Sequence, residues 1–175
     1  MILSGLDATE LYRAHTPRWS FAPLSSAGAA VQGGRFNRKG VEALYLTLEA
    51  KTALAEYQQV SPLLEPCVLT SYIASVGRLV DLRQLDGSDA WDPLWTDWDT
   101  DWRSFAFNLH IEPPTWVLGD LVRGAGHAGI LFPSVVNRGG TNVVLYQDIF
   151  ASGDSITVHD PHHDLPIDQS SWRRS

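Results

Sequence analysis

Five polar residues, far apart in the chain, lie where binding or catalytic side chains are often found. Arg13 ends a short predicted strand, and Arg35 follows two glycines that allow the backbone to approach a ligand closely. Tyr45 lies on the next predicted strand, Glu56 on the helix after it, and Ser134 at the end of a later apolar strand. Because a guanidinium group can hold a phosphate at two points, the arginines suit an anionic ligand. Each residue alone has an ordinary structural explanation, so the case for a site depends on their combination.

The elements that must position these side chains follow from apolar periodicity and from turn residues. Residues 11–14 and 43–46 are predicted strands, and the segment 15–43 between them is irregular and rich in Gly, Ser, Ala and Pro. Loops of this length inside a compact domain are usually functional or mobile. Residues 49–59 are predicted to form a helix, because their apolar residues recur at i, i+3, i+4 and i+7.

The rest of the chain contains strands and helices without a regular βαβ alternation. Strands are predicted over 68–74, 78–82, 128–132 and 142–147, with turns at 75–77 and 139–140 and a short helix over 115–124. We therefore expect one α+β domain over 1–175, not a doubly wound sheet. The polar residues 159–175 predict a loosely held tail, whose His159, His162 and His163 are interpreted as solvated side chains and not as metal ligands.

A segment rich in tryptophan and aspartate covers residues 86–105. Four tryptophans recur at spacings of 4, 3 and 4, and Asp92-Pro93 is a good start for a helix over about 93–106. Two interpretations stay open. The tryptophans can pack into the core, or the aromatic and acidic face can dock a basic partner.

Composition excludes several classes of function. The chain has 175 residues, a formal charge of −7 and 11 Arg against 2 Lys, and this charge argues against direct nucleic-acid binding. A single cysteine, Cys67, rules out an internal disulfide and is predicted to be buried. No apolar stretch approaches the roughly 20 residues that span a bilayer, so we expect a soluble cytoplasmic protein without membrane contact. Motifs of serine hydrolases, P-loop proteins, Rossmann folds and zinc peptidases are missing from the sequence.

Several short segments, in order and at the expected spacing, resemble the RES domain, a family named for its characteristic Arg, Glu and Ser. The segments are Leu11-Tyr12-Arg13-Ala14, Gly33-Gly34-Arg35-Phe36-Asn37, Leu44-Tyr45-Leu46, Ala53-Leu54-Ala55-Glu56, Gly129-Ile130-Leu131-Phe132-Pro133-Ser134 and Asn142-Val143-Val144-Leu145. The resemblance covers about residues 11–150, and Phe36 stands where the family pattern has Trp.

The resemblance implies a fold similar to that of ADP-ribosyltransferases, with a split mixed β-core, flanking helices and an NAD cleft. It implies a toxin of a type II toxin–antitoxin system, whose antitoxin carries an Xre-type helix-turn-helix. The implied reaction is cleavage of the nicotinamide–ribose bond of NAD, by hydrolysis or phosphorolysis. The alternatives are ADP-ribosylation of a protein such as phosphoribosyl pyrophosphate synthetase, and a non-catalytic nucleotide-binding module. The implied substrate is NAD, and neither a further cofactor nor a metal is expected.

The resemblance also implies a role for each site residue. Arg13 and Arg35 would clamp the pyrophosphate, and Tyr45 would border the nicotinamide ring. Glu56 would hold the ribose hydroxyls and stabilise the cationic transition state. Ser134, together with Asn137, would bind the nicotinamide ribose or its carboxamide.

The acceptor of the ADP-ribose group stays open between water, phosphate and a protein side chain. Phosphate would need an additional anion pocket, for which Arg38 and Lys39 are candidates. Because an active enzyme would harm its own cell, the antitoxin is expected to insert a segment near Arg13, Arg35 and Glu56.

Overall fold

A computed structural model describes residues 1–59 and 61–172, and its centre is a six-stranded mixed sheet. The strands are β1 (Leu3–His15), β2 (Leu44–Thr47), β3 (Val68–Asp81), β4 (Gly129–Pro133), β5 (Thr141–Leu145) and β6 (Ser155–Val158). They are ordered β1-β2-β5-β4-β3, and β1 also pairs with β3, so these five close into a barrel-like sheet. Only β3 and β4 run parallel, and β6 pairs with β3. The predicted α+β class is confirmed.

The prediction of two strands separated by a turn at 75–77 is wrong, because the structure has one strand, β3, over this region. It runs unbroken from Val68 to Asp81 and pairs with β1 over almost its whole length. The register shifts where Leu6 faces Val76, and Arg78 has a φ of 54°. Gly77 therefore lies at a bulge, which adds a residue to one strand and bends it without ending the pairing.

Alternating side chains of the strands pack into two apolar layers, as the period of two in a strand requires. Leu131 and Val143 belong to one layer, and their chain neighbours Ile130 and Val144 belong to the other. The second layer is completed by helix α3 (Pro114–Gly124) and by the tryptophan-rich segment.

Three α-helices accompany the sheet in the described part of the chain. They are α1 (Ala27–Gln32), α2 (Ala50–Gln58) and α3, so the predicted helices over 49–59 and 115–124 are confirmed to within a residue or two. Helix α1 lies inside the segment that was predicted to be irregular. A Cβ atom at Gly119 of α3 would lie 2.1 Å from the carbonyl oxygen of Phe36. The same oxygen accepts a hydrogen bond from the Tyr146 hydroxyl at 2.6 Å. The backbone next to Arg35 is thus fixed from two sides.

The prediction of one helix over 93–106 is wrong. The segment forms a 3₁₀ helix over Pro93–Asp99 and a π-helical turn over Ser104–Leu109. The carbonyl oxygens of Trp98 and Thr100, which a continuous helix would use internally, instead accept hydrogen bonds from Arg35. Of the two interpretations of the tryptophans, packing into the core is confirmed, since Trp91, Trp95 and Trp102 are buried.

Strand β6 was not predicted, and Cys67 is half-buried, not fully buried as expected. In the tail, His159, His162 and His163 are exposed, whereas residues 173–175 lie outside the described part. Among the described residues no group of three His, Cys, Asp or Glu side chains could hold a metal, and no helix there is long and apolar enough to cross a bilayer.

Candidate functional site

A cleft of about 550 Å³ opens where β1, β2 and α2 meet helix α1, the glycines that follow it and the residues around the π-helical turn. Its volume lies in the range typical of sites for small molecules. Arg13, Arg35, Tyr45 and Glu56 all line it. Four residues that are up to 43 positions apart in the chain are therefore brought to one cavity by the closed sheet and by α2.

Arg13 enters the cleft from β1, and its guanidinium group is held by backbone carbonyls. Its Nη1 donates to the carbonyl oxygens of Ser25 at 3.0 Å and Pro23 at 3.5 Å. Burial lowers its pKa from the ordinary value. Within the described residues it forms no ion pair, so its cation is left uncompensated.

A buried pair of side chains supports the loop that holds Arg13. His15 Nε2 lies 2.7 Å from the Tyr72 hydroxyl, which donates to the carbonyl oxygen of Pro23 at 3.0 Å. Burial, and then the charge of Arg13, lowers the pKa of His15 to about 4. His15 is therefore neutral at physiological pH, and the positive charge at this end of the cleft belongs to Arg13.

Arg35 enters from the loop before β2, and it too is held by carbonyl oxygens. Its Nη1 donates to Trp98 at 3.1 Å and to Thr100 at 2.9 Å, so the tryptophan-rich segment positions it. Burial lowers its pKa, and the nearby carboxylate of Glu56 partly offsets that lowering. In the described structure Nε and Nη2 of Arg35 have no protein acceptor and are free to hold an anion.

The cleft is positively charged in an acidic protein. Its charged lining residues, among those the structure describes, are Arg13, Arg35, Arg103 and Glu56. Three cations and one anion give a formal charge of +2, against −7 for the whole chain. Clefts with low-dielectric walls focus such a charge. The charge of the cleft is therefore complementary to an anionic ligand.

The carboxylate of Glu56 is oriented by two donors on the same oxygen. Oε1 accepts from the Ser134 hydroxyl at 2.8 Å and from Asn142 Nδ2 at 2.5 Å. Oε2 accepts no hydrogen bond from the described residues, so one carboxylate oxygen is fixed and the other is available to a ligand. The Oδ1 atom of Asn142 is buried, has no partner there and belongs to a residue that lines the cleft.

The structure places Ser134 and Asn137 behind Glu56, outside the cleft lining. The Ser134 hydroxyl accepts from the backbone N–H of Asn137 at 3.0 Å while donating to Glu56. The Asn137 amide donates to Thr52 Oγ1 at 2.8 Å. Their predicted contacts with substrate stay predictions, and the observed geometry gives both residues a positioning role for Glu56.

Tyr45 is fixed by two hydrogen bonds at the floor of the cleft. Its hydroxyl accepts from the backbone N–H of Phe36 at 2.9 Å and donates to Asn37 Oδ1 at 2.8 Å. Burial raises its pKa, so the phenol stays neutral. A Cβ atom at Gly34 would lie 2.6 Å from that hydroxyl, which explains the need for glycine before Arg35.

Arg38 and Lys39, the candidates for an additional anion pocket, lie outside the lining of the cleft. Arg38 makes two hydrogen bonds to Glu112, at 2.8 and 2.9 Å, and a third to Asp120. Its charge is thus already compensated on the surface. Neither it nor the exposed Lys39 is among the residues that line the cleft.

Two lining residues were missed by sequence reasoning. Asn142 lies in an apolar strand, and only the pairing of β5 with β2 shows that it faces Glu56. Arg103 follows a tryptophan in a segment that was expected to be helical. An arginine count cannot distinguish it from surface arginines, so no signal in the sequence identified it.

The fold and the site together define a small α+β protein with a positively charged, ligand-sized cleft beside one oriented carboxylate. A model of the RES domain family matches residues 10–168, and the chain belongs to that family. Its fold is similar to a chain in the crystal structure of the M. tuberculosis MbcT–MbcA toxin–antitoxin complex, with a TM-score of 0.60 and 18% sequence identity over 90% of this chain and 85% of that chain. No curated protein matches the sequence.

Proposed function

We propose that this protein cleaves NAD at the bond between nicotinamide and ribose. The observation that carries the proposal is the cleft itself, which two guanidinium groups without an ion pair and one oriented carboxylate line together. NAD has a diphosphate with two negative charges and a cationic nicotinamide, so it matches both signs of charge in the cleft. Membership of the RES domain family supports the same substrate.

Each charged group has a place in the proposed reaction. Arg13 and Arg35 hold the diphosphate through their free N–H donors, because hydrogen bonds between ions are the strongest and most directional available. As the bond between C1 of the ribose and the nicotinamide nitrogen breaks, its electron pair goes to the nicotinamide, which leaves neutral. C1 becomes positively charged, and Oε2 of Glu56 stabilises it.

The acceptor completes the reaction at C1. With water, an O–H proton is lost as the new C–O bond forms, and ADP-ribose is released. With phosphate, the product is ADP-ribose 1-phosphate. Transfer to a protein needs a docking face, and the tryptophan side chains that were one candidate for it are mostly buried. We therefore favour a small acceptor.

The biological role that we propose is that of a toxin held inactive by an antitoxin. The chain's family and its similarity in fold to a chain of a toxin–antitoxin complex support this role. The antitoxin we expect is an Xre-type helix-turn-helix protein that occludes the cleft. A complex whose interface leaves Arg13, Arg35 and Glu56 exposed would contradict direct occlusion.

The proposed reaction is tested by incubating the purified protein with NAD, with and without phosphate, and measuring free nicotinamide. Nicotinamide should appear together with ADP-ribose or its 1-phosphate, and Glu56→Gln protein should release it at a far lower rate. Labelled protein in place of these products would indicate a transferase. A folded protein that releases no nicotinamide under any of these conditions would overturn the proposal.

A further inference from the structure

The third arginine of the cleft, Arg103, is not needed by the reaction described above. It is an exposed residue that lines the cavity at the start of the π-helical turn Ser104–Leu109. π-Helical turns are rare and frequently lie at functional sites. Within the described residues Arg103 forms neither an ion pair nor a side-chain hydrogen bond, although the chain has more acidic than basic residues.

An aromatic support holds the Arg103 side chain in place. Its guanidinium carbon lies 4.8 Å from the centre of the Trp102 ring, and Trp102 is buried. The Phe107 ring packs edge-on against Trp102 with a centroid distance of 5.7 Å. A guanidinium group over an aromatic face is attracted to that face, and its N–H donors stay available to a ligand. Trp102 thus restrains the exposed Arg103 side chain and leaves its N–H donors without a partner among the described residues.

Arg103 also lies close enough to the other charges to act on the same ligand. Its charge contributes to the lowered pKa of Arg35 and acts against the raised pKa of Tyr45, so Arg103 lies near two other residues that line the same cleft. Two positive charges in one cleft repel each other, and an anion bound between them relieves this repulsion. Arg103 and Arg35 together thus define a place for an anion in the cleft.

We infer that Arg103 is a specificity-determining residue that binds the diphosphate of a nucleoside diphosphate ligand and so distinguishes intact dinucleotides from uncharged nucleosides. The inference rests on the proposed function for its choice of ligand, but its binding test does not need cleavage. It adds a third phosphate ligand from the tryptophan-rich segment to the two arginines predicted from the sequence. Trp102 acts as a positioning residue for it.

The test compares Arg103→Gln with Arg18→Gln, which removes the same charge at an exposed residue outside the cleft. Calorimetry with ADP-ribose should show about tenfold weaker binding for Arg103→Gln, the loss of one hydrogen bond between ions. Arg103→Lys keeps the charge but loses the stacked plane, and it should fall between Arg103→Gln and the parent. Arg18→Gln should bind as the parent does. In NAD turnover, KM should rise about tenfold in Arg103→Gln with kcat within about twofold of the parent.

The outcomes separate this inference from the proposed function. A parent protein that binds ADP-ribose through Arg103 but releases no nicotinamide from NAD would sustain the inference and reject the reaction. Equal ADP-ribose affinity for parent and Arg103→Gln, with nicotinamide release intact, would reject the inference and sustain the reaction. A fall of kcat with unchanged KM would also overturn it, because Arg103 would then act in the chemical step.

Discussion

Replacing Glu56 by Gln removes the negative charge from the cleft while preserving the shape of the side chain. The amide oxygen of Gln can still accept from Ser134 and Asn142, which hold Oε1 in the parent. Both bonds lose their ionic character, so we expect a destabilisation of about 1 kcal/mol, equivalent to a Tm lower by roughly 2–4 °C in a domain of this size. The fold should therefore survive, and any large kinetic change belongs to the lost charge.

The kinetic effect should fall on kcat and not on KM. A preorganised charge that stabilises a transition state contributes about 3–4 kcal/mol in other enzymes, so kcat should fall by about a hundredfold or more. The formal charge of the lining rises from +2 to +3 when Glu56 is neutralised, so NAD should bind at least as well as before.

The assay is nicotinamide release at several NAD concentrations, with Glu65→Gln as the control. Glu65 is an exposed carboxylate outside the cleft, and its replacement should leave both kinetic constants unchanged. If Glu56→Gln consumed NAD at the parent rate, or if only its KM changed, the role assigned to the carboxylate would be refuted.

Three further predictions follow from the geometry. Arg35→Ala should weaken ADP-ribose binding by at least tenfold in calorimetry. The variant should also loosen the tryptophan-rich segment, because Arg35 donates to two of its carbonyl oxygens, and hydrogen exchange would detect this. Unchanged ADP-ribose affinity would remove Arg35 from the site. Because burial lowers the pKa of His15 from 6.5 to about 4, the unfolded state binds more protons in that window, and the free energy of unfolding should fall by up to about 3 kcal/mol as pH drops through it. A His15→Asn variant that kept the same pH dependence would contradict this. Gly119→Ala should destabilise the protein by more than about 3 kcal/mol, because the new Cβ would meet the Phe36 carbonyl at 2.1 Å; an unchanged denaturant midpoint would show that α3 is not fixed there.

The elements with a strong local pattern were predictable, and those decided by distant partners were not. Helix α2 has an apolar stripe, and it was predicted near its observed bounds, as was α3. The segment 93–106 has equally good local signals. It departs from a helix, and two of its carbonyl oxygens accept hydrogen bonds from Arg35, more than 60 residues away in sequence. The segment 75–77 of β3 contains Gly77, a residue type that favours turns. Only the pairing with β1 shows that Gly77 lies at a bulge.

The same distinction holds for the site. Arg13, Arg35, Tyr45 and Glu56 were predicted together because the order of several segments resembles a known family, and the structure brings all four to one cleft. The way in which Glu56 is oriented depends on strand register and on the loop after β4, which residue types alone do not specify. Asn142 begins one of the segments that resemble the family, but only the structure shows that it holds Glu56.

The central claim is that one cleft binds the diphosphate of NAD with its arginines and presents the ribose to a carboxylate. A crystal structure with an unreactive NAD analogue tests it most directly. We predict phosphate oxygens within hydrogen-bonding distance of Arg13 and Arg35, and C1 of the nicotinamide ribose beside Oε2 of Glu56. An analogue bound elsewhere, or bound in the cleft with its diphosphate away from both guanidinium groups, would contradict the account.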